Sequence, residues 1–308
     1  YWAQAELVAA ATDLAEVLGG AIALQILFDV PLVIGGLIVG VVSMLLLAIQ
    51  SRRGQRPFEF VVMGLLLVIA VGFVAGLFVT DVSWSQAADG LVPRFEGSQS
   101  VLLAAGMLGA TVMPHAIYVH SALARDRHGR QSGTDLTRLL RATRGDVVAS
   151  MLLAAGSLQG VSGTETIQGA HAAISASLGP LVGALFGIGL LASGLASTSV
   201  GCYAGAAIMS GLLKVQVPMV VRRMVTLIPA LVILGIGADP TWSLVLSQVL
   251  LSIGIPFALA PLVKLTSDSA VMGSHANSRP LKVVAWLVVA LIVALNLALI
   301  VLQVTGAA

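Results

Sequence analysis

Nine apolar stretches, near residues 2–28, 31–50, 57–80, 100–124, 144–161, 179–213, 217–237, 241–265 and 281–304, recur along the chain. Most approach or exceed the roughly 20 residues that a helix needs to cross about 30 Å of hydrocarbon. In lipid every backbone N–H and C=O needs an internal partner, so spanning segments are helices or closed barrels. Barrel strands would read as short alternating segments, which this chain lacks. The chain is therefore read as an all-α polytopic membrane protein, residues 1–308 forming a single transmembrane domain. With 58% apolar and only 10% charged residues, a soluble globular fold is excluded. Phe28-Asp29-Val30-Pro31 is the punctuation between the first two spans, and the stretch at 179–213 is long enough to extend beyond the bilayer.

Basic residues set the orientation. Arg52, Arg53 and Arg56 share one loop; Arg125, Arg127, Arg130, Arg138, Arg141 and Arg144 occupy the next alternate one. Lys214, Arg222 and Arg223, then Lys264, Arg279 and Lys282, complete fifteen of the sixteen Lys and Arg on one side, with Arg94 opposite. By the positive-inside rule that side is cytoplasmic, which puts Tyr1 inside and Ala308 outside in a cell (inner) membrane. The net charge of +2 reports topology and gives no reason to expect nucleic acid, and nothing implies a soluble partner. The basic loop from Arg125 to Arg144 is read as a topology anchor. Cys202, the single cysteine, excludes an internal disulfide or thiolate cluster and is read as a packing residue. The chain starts at Tyr1 without an initiator Met or signal peptide, so a preceding N-terminal part is expected.

A charge at the bilayer centre costs roughly 2.5–3.5 kcal/mol or more. The first span nevertheless carries Glu6, Asp13 and Glu16. Asp13 and Glu16 lie at i and i+3, and Glu6 is two turns before Asp13, so the three share one helix face. Two uses fit: structural ion pairs, or a relay of carboxylates that passes a proton. Arg222 and Arg223, at the start of the span near 217–237, are the candidate partners.

A second concentration runs from Gly106 to His120. Pro114 has no N–H and disfavours helix at Met113, which predicts free carbonyls around residues 110–111. Broken membrane helices of this kind form the ion sites of secondary transporters, because unwound backbone survives there only around a protein-lined cavity. The Met113 thioether favours soft transition metals over Mg²⁺ or Ca²⁺ if it is a ligand, and otherwise fills the core. His115 serves either as a proton acceptor or as a neutral histidine bonded to a carbonyl, and His120 leans to the structural role. Their five-residue spacing does not match a helical zinc site, so a zinc enzyme is disfavoured. In the span near 241–265, Ser243, Ser247, Gln248 and Ser252 recur, with Gln248 placed either to bond a neighbouring helix or to complete an ion's coordination. The small residues from Gly183 to Gly205 are assigned to close helix packing.

Ala110-Thr111-Val112-Met113-Pro114-His115 resembles the sixth-helix motif of the Nramp family of proton-coupled divalent metal transporters. Asp13-Leu14-Ala15-Glu16 resembles the family's third helix, Arg144-Gly145-Asp146 the entry to its seventh, and Ser193-Gly194 through Tyr203-Ala204-Gly205 its eighth. The resemblance covers essentially the whole chain, and its closest likeness is to the bacterial manganese transporters of the family.

That resemblance implies a LeuT-like fold of two inverted five-helix repeats. Residues 1–80 would be the remainder of the first repeat, 100–265 the second, and 281–304 an extra C-terminal helix. It implies that Met113 and the Ala110 carbonyl are metal ligands, with Gln248 joining them in an occluded state. Asp13, Glu16 and His115, continued by Glu6, Arg222, Arg223 and His120, become the proton route. The transported ions would be Mn²⁺ or Fe²⁺ with H⁺, moved from outside to cytoplasm, without a prosthetic group. The family's first helix, whose Asp-Pro-Gly-Asn motif supplies an aspartate and an asparagine ligand, has no counterpart in the chain, nor has its second. About nine helices thus stand against eleven, and these 308 residues alone are not expected to transport. Two other readings stay open: an amino-acid or organic-cation carrier on the same fold, and a non-transporting membrane component.

Overall fold

The computed structural model describes residues 2–53, 55–79, 97–114, 117, 120, 129, 133–157, 167–212 and 217–305. Ten helices of twelve or more residues account for most of them: α1 Trp2–Phe28, α2 Leu32–Arg53, α3 Gln55–Val79, α4 Gly97–Thr111, α5 Gly133–Ser157, α6 Ile167–Leu178, α7 Pro180–Leu212, α8 Met219–Gly235, α9 Pro240–Thr266 and α10 Arg279–Thr305. Among these, α1, α2, α7, α9 and α10 each contain a stretch long and apolar enough to cross a membrane. The apolar portions of α3 and α4 are shorter among the described residues.

Local chemistry sets the boundaries. Asp29, with φ +55°, turns the chain out of α1, and Pro31 precedes α2. Gly179, with φ +93°, closes α6, and Pro180 opens α7, so the glycine stop and proline start are adjacent. The Asp239 carboxylate accepts from the Trp242 amide at 2.6 Å, capping α9 with Pro240 in its first turn.

Two departures from the sequence expectation are informative. The span near 144–161 belongs to α5, which begins at Gly133, so the basic segment before Arg144 is partly helical; Asp135 in the first turn suits the N-terminal end of the helix dipole. The stretch ahead of residue 179 holds a further helix, α6, whose twelve residues are too few to show in a search for membrane-length runs.

Helix α1 is central and packs against α2, α7, α8 and α9. Val17, Leu18, Ala21 and Leu24 of α1 bury against Val39 of α2 and Leu227, Ala230 and Leu234 of α8. A second group unites α4, α9 and α10 around Leu102, Ala105 and Val249. Val8 and Ala11 of α1 meet Leu251 of α9 and join the two groups. The outer faces carry Leu66 and Leu67 of α3, Ile228 and Val232 of α8, and Leu287 and Leu291 of α10, all exposed. Apolar surface on that scale fits a hydrocarbon surround.

The α1–α7 contact is close enough to need glycine. A Cβ at Gly194 would stand 2.9 Å from the backbone carbonyl oxygen of Glu16, whereas one at Gly189 would meet nothing within 4 Å. Gly194→Val is expected to lower stability by about 1–3 kcal/mol. Gly189→Ala is expected to be neutral or to raise stability by up to about 1 kcal/mol. Thermal unfolding of both variants in detergent tests the pair.

Candidate functional site

The three acids of α1 do share a face, and α8 supplies their partners. Glu6 binds Arg222 in a two-pronged arrangement, with Arg222 Nη1 and Nη2 donating to Oε1 and Oε2 at 2.7 Å each. Asp13 pairs with Arg223, Oδ1 to Nη1 at 3.0 Å. Arg223 is fully buried; its Nε donates to Ser43 Oγ of α2 at 2.9 Å, and its Nη2 to Thr198 Oγ1 of α7 at 3.5 Å. Four helices therefore meet on one guanidinium. Glu16 is also buried, and neither of its carboxylate oxygens accepts a hydrogen bond among the described residues. A Cβ at Gly201 of α7 would lie 3.7 Å from Asp13 Oδ1 and 3.8 Å from Glu16 Oε2, so both carboxylates front the same point of α7. Cys202, read from the sequence as a packing residue, is buried.

Sequence reasoning found the acids and arginines but not Ser43 and Thr198. A lone hydroxyl in an apolar run is a weak signal, because such groups more often bond their own helix. Ser247 behaves that way, donating to the Leu244 carbonyl at 2.7 Å, as does Thr12 to Val8 at 3.0 Å.

The second concentration forms around the end of α4. Its last helical backbone bond runs from the Val112 amide to the Leu108 carbonyl at 2.8 Å, while the Thr111 hydroxyl folds back onto the Met107 carbonyl at 2.7 Å. Val112 and Met113 leave helical geometry, and Pro114, lacking an N–H, cannot serve the Ala110 carbonyl. The helix thus breaks where the proline predicts. Ala110 is exposed, Met113 half-buried and Pro114 buried. Gly109 lies directly against α9: a Cβ there would collide with the Gln248 carbonyl and stand 2.9 Å from the Ser252 amide. Gln248 is thereby brought beside the residue preceding Ala110, with its side-chain oxygen buried and without a hydrogen-bond partner among the described residues. The serine stripe divides: Ser243 and Ser247 bond their own helix, and Ser252 bonds Asn296 of α10.

His115 lies outside the described residues, and His120 is exposed. Among the described residues no group of three or more His, Cys, Asp or Glu is arranged to hold a metal. A carbonyl, a thioether and an amide oxygen around the α4 break are the donor types available there.

An all-helical, multi-pass membrane protein with one broken helix and, in a separate packed group, a buried ionic cluster has the build of a membrane transporter rather than an enzyme. The family model described as natural resistance-associated macrophage protein-like matches residues 1–302, and the chain belongs to this family, Nramp. It is 58% identical to the divalent metal cation transporter MntH of Mycobacterium tuberculosis (strain CDC 1551 / Oshkosh), over 99% of this chain and 74% of that one. Against MntH of Bacillus subtilis (strain 168) the identity is 43%, covering 97% and 73%. The structure is similar to that of the Eremococcus coleocola manganese transporter in complex with an aromatic bis-isothiourea substituted compound. That match has a TM-score of 0.78 and 29% identity, covering 98% of this chain and 70% of the other. The fold is LeuT-like.

The ionic cluster makes a quantitative prediction. Arg223→Met alone leaves Asp13 buried without its partner and is expected to cost about 3–5 kcal/mol, whereas Arg223→Met with Asp13→Leu regains most of that loss. Chemical unfolding of the single and double variants measures the difference.

Proposed function

We propose that this chain carries most of the machinery of a secondary importer of divalent transition metals, Mn²⁺ foremost and Fe²⁺ also accepted, coupled to protons and working by alternating access. The observation that carries the reading is the abutment of the broken end of α4 on the α9 turn bearing Gln248. Ala110 supplies a carbonyl without its helical donor, Met113 a polarizable sulfur, and Gln248 an amide oxygen. This mixture suits borderline metals better than the all-oxygen shells preferred by Mg²⁺ and Ca²⁺. The printed names of the relatives, a divalent metal cation transporter and a manganese transporter, point the same way.

Protons would travel along α1. Glu6 has Arg222 and Asp13 has Arg223, while Glu16 has no arginine of its own and is the acid available to bind and release a proton. His115 would exchange protons with the metal region, and His120 would continue the route toward the cytoplasm. The protein would lie in the cell (inner) membrane with Tyr1 cytoplasmic and Ala308 outside, as the basic loops direct. Residues 1–80 would belong to the first inverted repeat and 100–265 to the second, with α10 as the extra helix.

Mn²⁺ uptake into proteoliposomes holding the full-length protein tests the reading. Uptake that resists excess Mg²⁺ and Ca²⁺ is expected. Met113→Ala is expected to weaken Mn²⁺ on the order of tenfold while leaving Mg²⁺ little changed, so that the hard ions then compete. No uptake by the well-folded parent would overturn the proposal.

A further inference from the structure

Helix α9 contains Pro256, which has no N–H to give to the carbonyl of Ser252 one turn earlier. A carbonyl deprived of its donor inside a membrane needs another. Asn296, buried on α10, provides it: Nδ2 donates to the Ser252 carbonyl at 3.0 Å. In return its Oδ1 accepts from the Ser252 hydroxyl at 2.9 Å, so both ends of one amide close on a single residue. Between Lys282 and Gln303 of α10, Asn296 is the only residue with a side chain that both donates and accepts hydrogen bonds.

The same turn of α9 has α4 on another side. Gly109 rests against the Gln248 carbonyl and the Ser252 amide, the two groups that end that turn. Gln248 and Ser252 are i and i+4, so they stand one above the other on one face. The segment bearing Gln248 is thus held by backbone contact from α4 and by a two-point amide contact from α10, at the place where proline has weakened it.

We propose that Asn296 is a positioning residue, replacing the hydrogen bond that Pro256 removes and fixing the α9 turn that presents Gln248 to the broken end of α4. Its bearing on metal binding rests on the function proposed above; the latch itself rests on the contacts between α9 and α10. Asn296 touches no cargo and acts through Ser252.

The test uses full-length protein carrying Gln248→Cys in an otherwise cysteine-free background, labelled with a water-soluble methanethiosulfonate reagent. Asn296→Leu is expected to change the labelling rate at position 248 by about tenfold, the population shift that follows from losing about one buried hydrogen bond. Adding Pro256→Ala returns a helical donor to the Ser252 carbonyl and is expected to bring the rate back to within about twofold of the parent. In the protein that keeps Gln248, Asn296→Leu is expected to raise the KM for Mn²⁺ uptake by about tenfold, with the same rescue. A folded Asn296→Leu protein with unchanged labelling, or a change that Pro256→Ala does not reverse, overturns the latch. If Asn296→Leu fails to fold, recovery of folded protein by Pro256→Ala supports it and failure to recover overturns it. Absence of Mn²⁺ uptake by the unmodified protein, with the labelling pattern intact, would overturn the metal reading and leave the latch standing.

Discussion

The buried guanidinium of Arg223 is the contact on which the first packed group depends. Its planar fork ion-pairs with Asp13 on α1 and donates N–H groups to Ser43 on α2 and Thr198 on α7, so three neighbours are fixed by one side chain of α8. A charge buried in such surroundings is tolerated only when paired and bonded, which makes the rotation of α8 a matter of necessity. Once Arg223 faces inward, Leu227, Ala230 and Leu234 follow it to the α1 side, and Ile228 and Val232 turn outward. Polar residues inside and apolar residues outside is the arrangement that lipid demands.

The second group is cemented differently. Around α4, α9 and α10 the described cross-helix contacts are neutral: apolar packing at Leu102, Ala105 and Val249, the glycine approach at Gly109, and the amide pair at Asn296. Between the groups, Gln4 Nε2 of α1 reaches the Gly254 carbonyl of α9 at 3.4 Å, a long bond beside the apolar contact of Val8 and Leu251.

Much of this was legible in the residues themselves. Acids placed seven and three apart on an apolar helix can share only one face, and two adjacent arginines at the start of another apolar span are their natural partners. Pro114 announced the break at Met113, since a missing N–H is a property of the residue and not of its surroundings. Helix α6 was not legible, because twelve residues fall short of a span. The partnership of Pro256 with Asn296 was hidden for another reason: the loss is written in α9 and its remedy forty residues later in α10. Only packing brings the two together. Ser43 and Thr198 are similar, being hydroxyls that accept from a guanidinium on another helix, Ser43 while its own O–H bonds the Gly40 carbonyl of α2.

Helix α7 has a further consequence. Its 33 residues span about 50 Å, against about 30 Å of hydrocarbon. Even at the steepest tilts common for membrane helices, about 40°, some 38 Å would lie along the bilayer normal. A rod of this kind necessarily reaches past the slab, and one of its turns near the middle, at Gly201, fronts the carboxylates of Asp13 and Glu16. The excess of length and the contact with the most polar spot of the first group thus belong to one continuous helix.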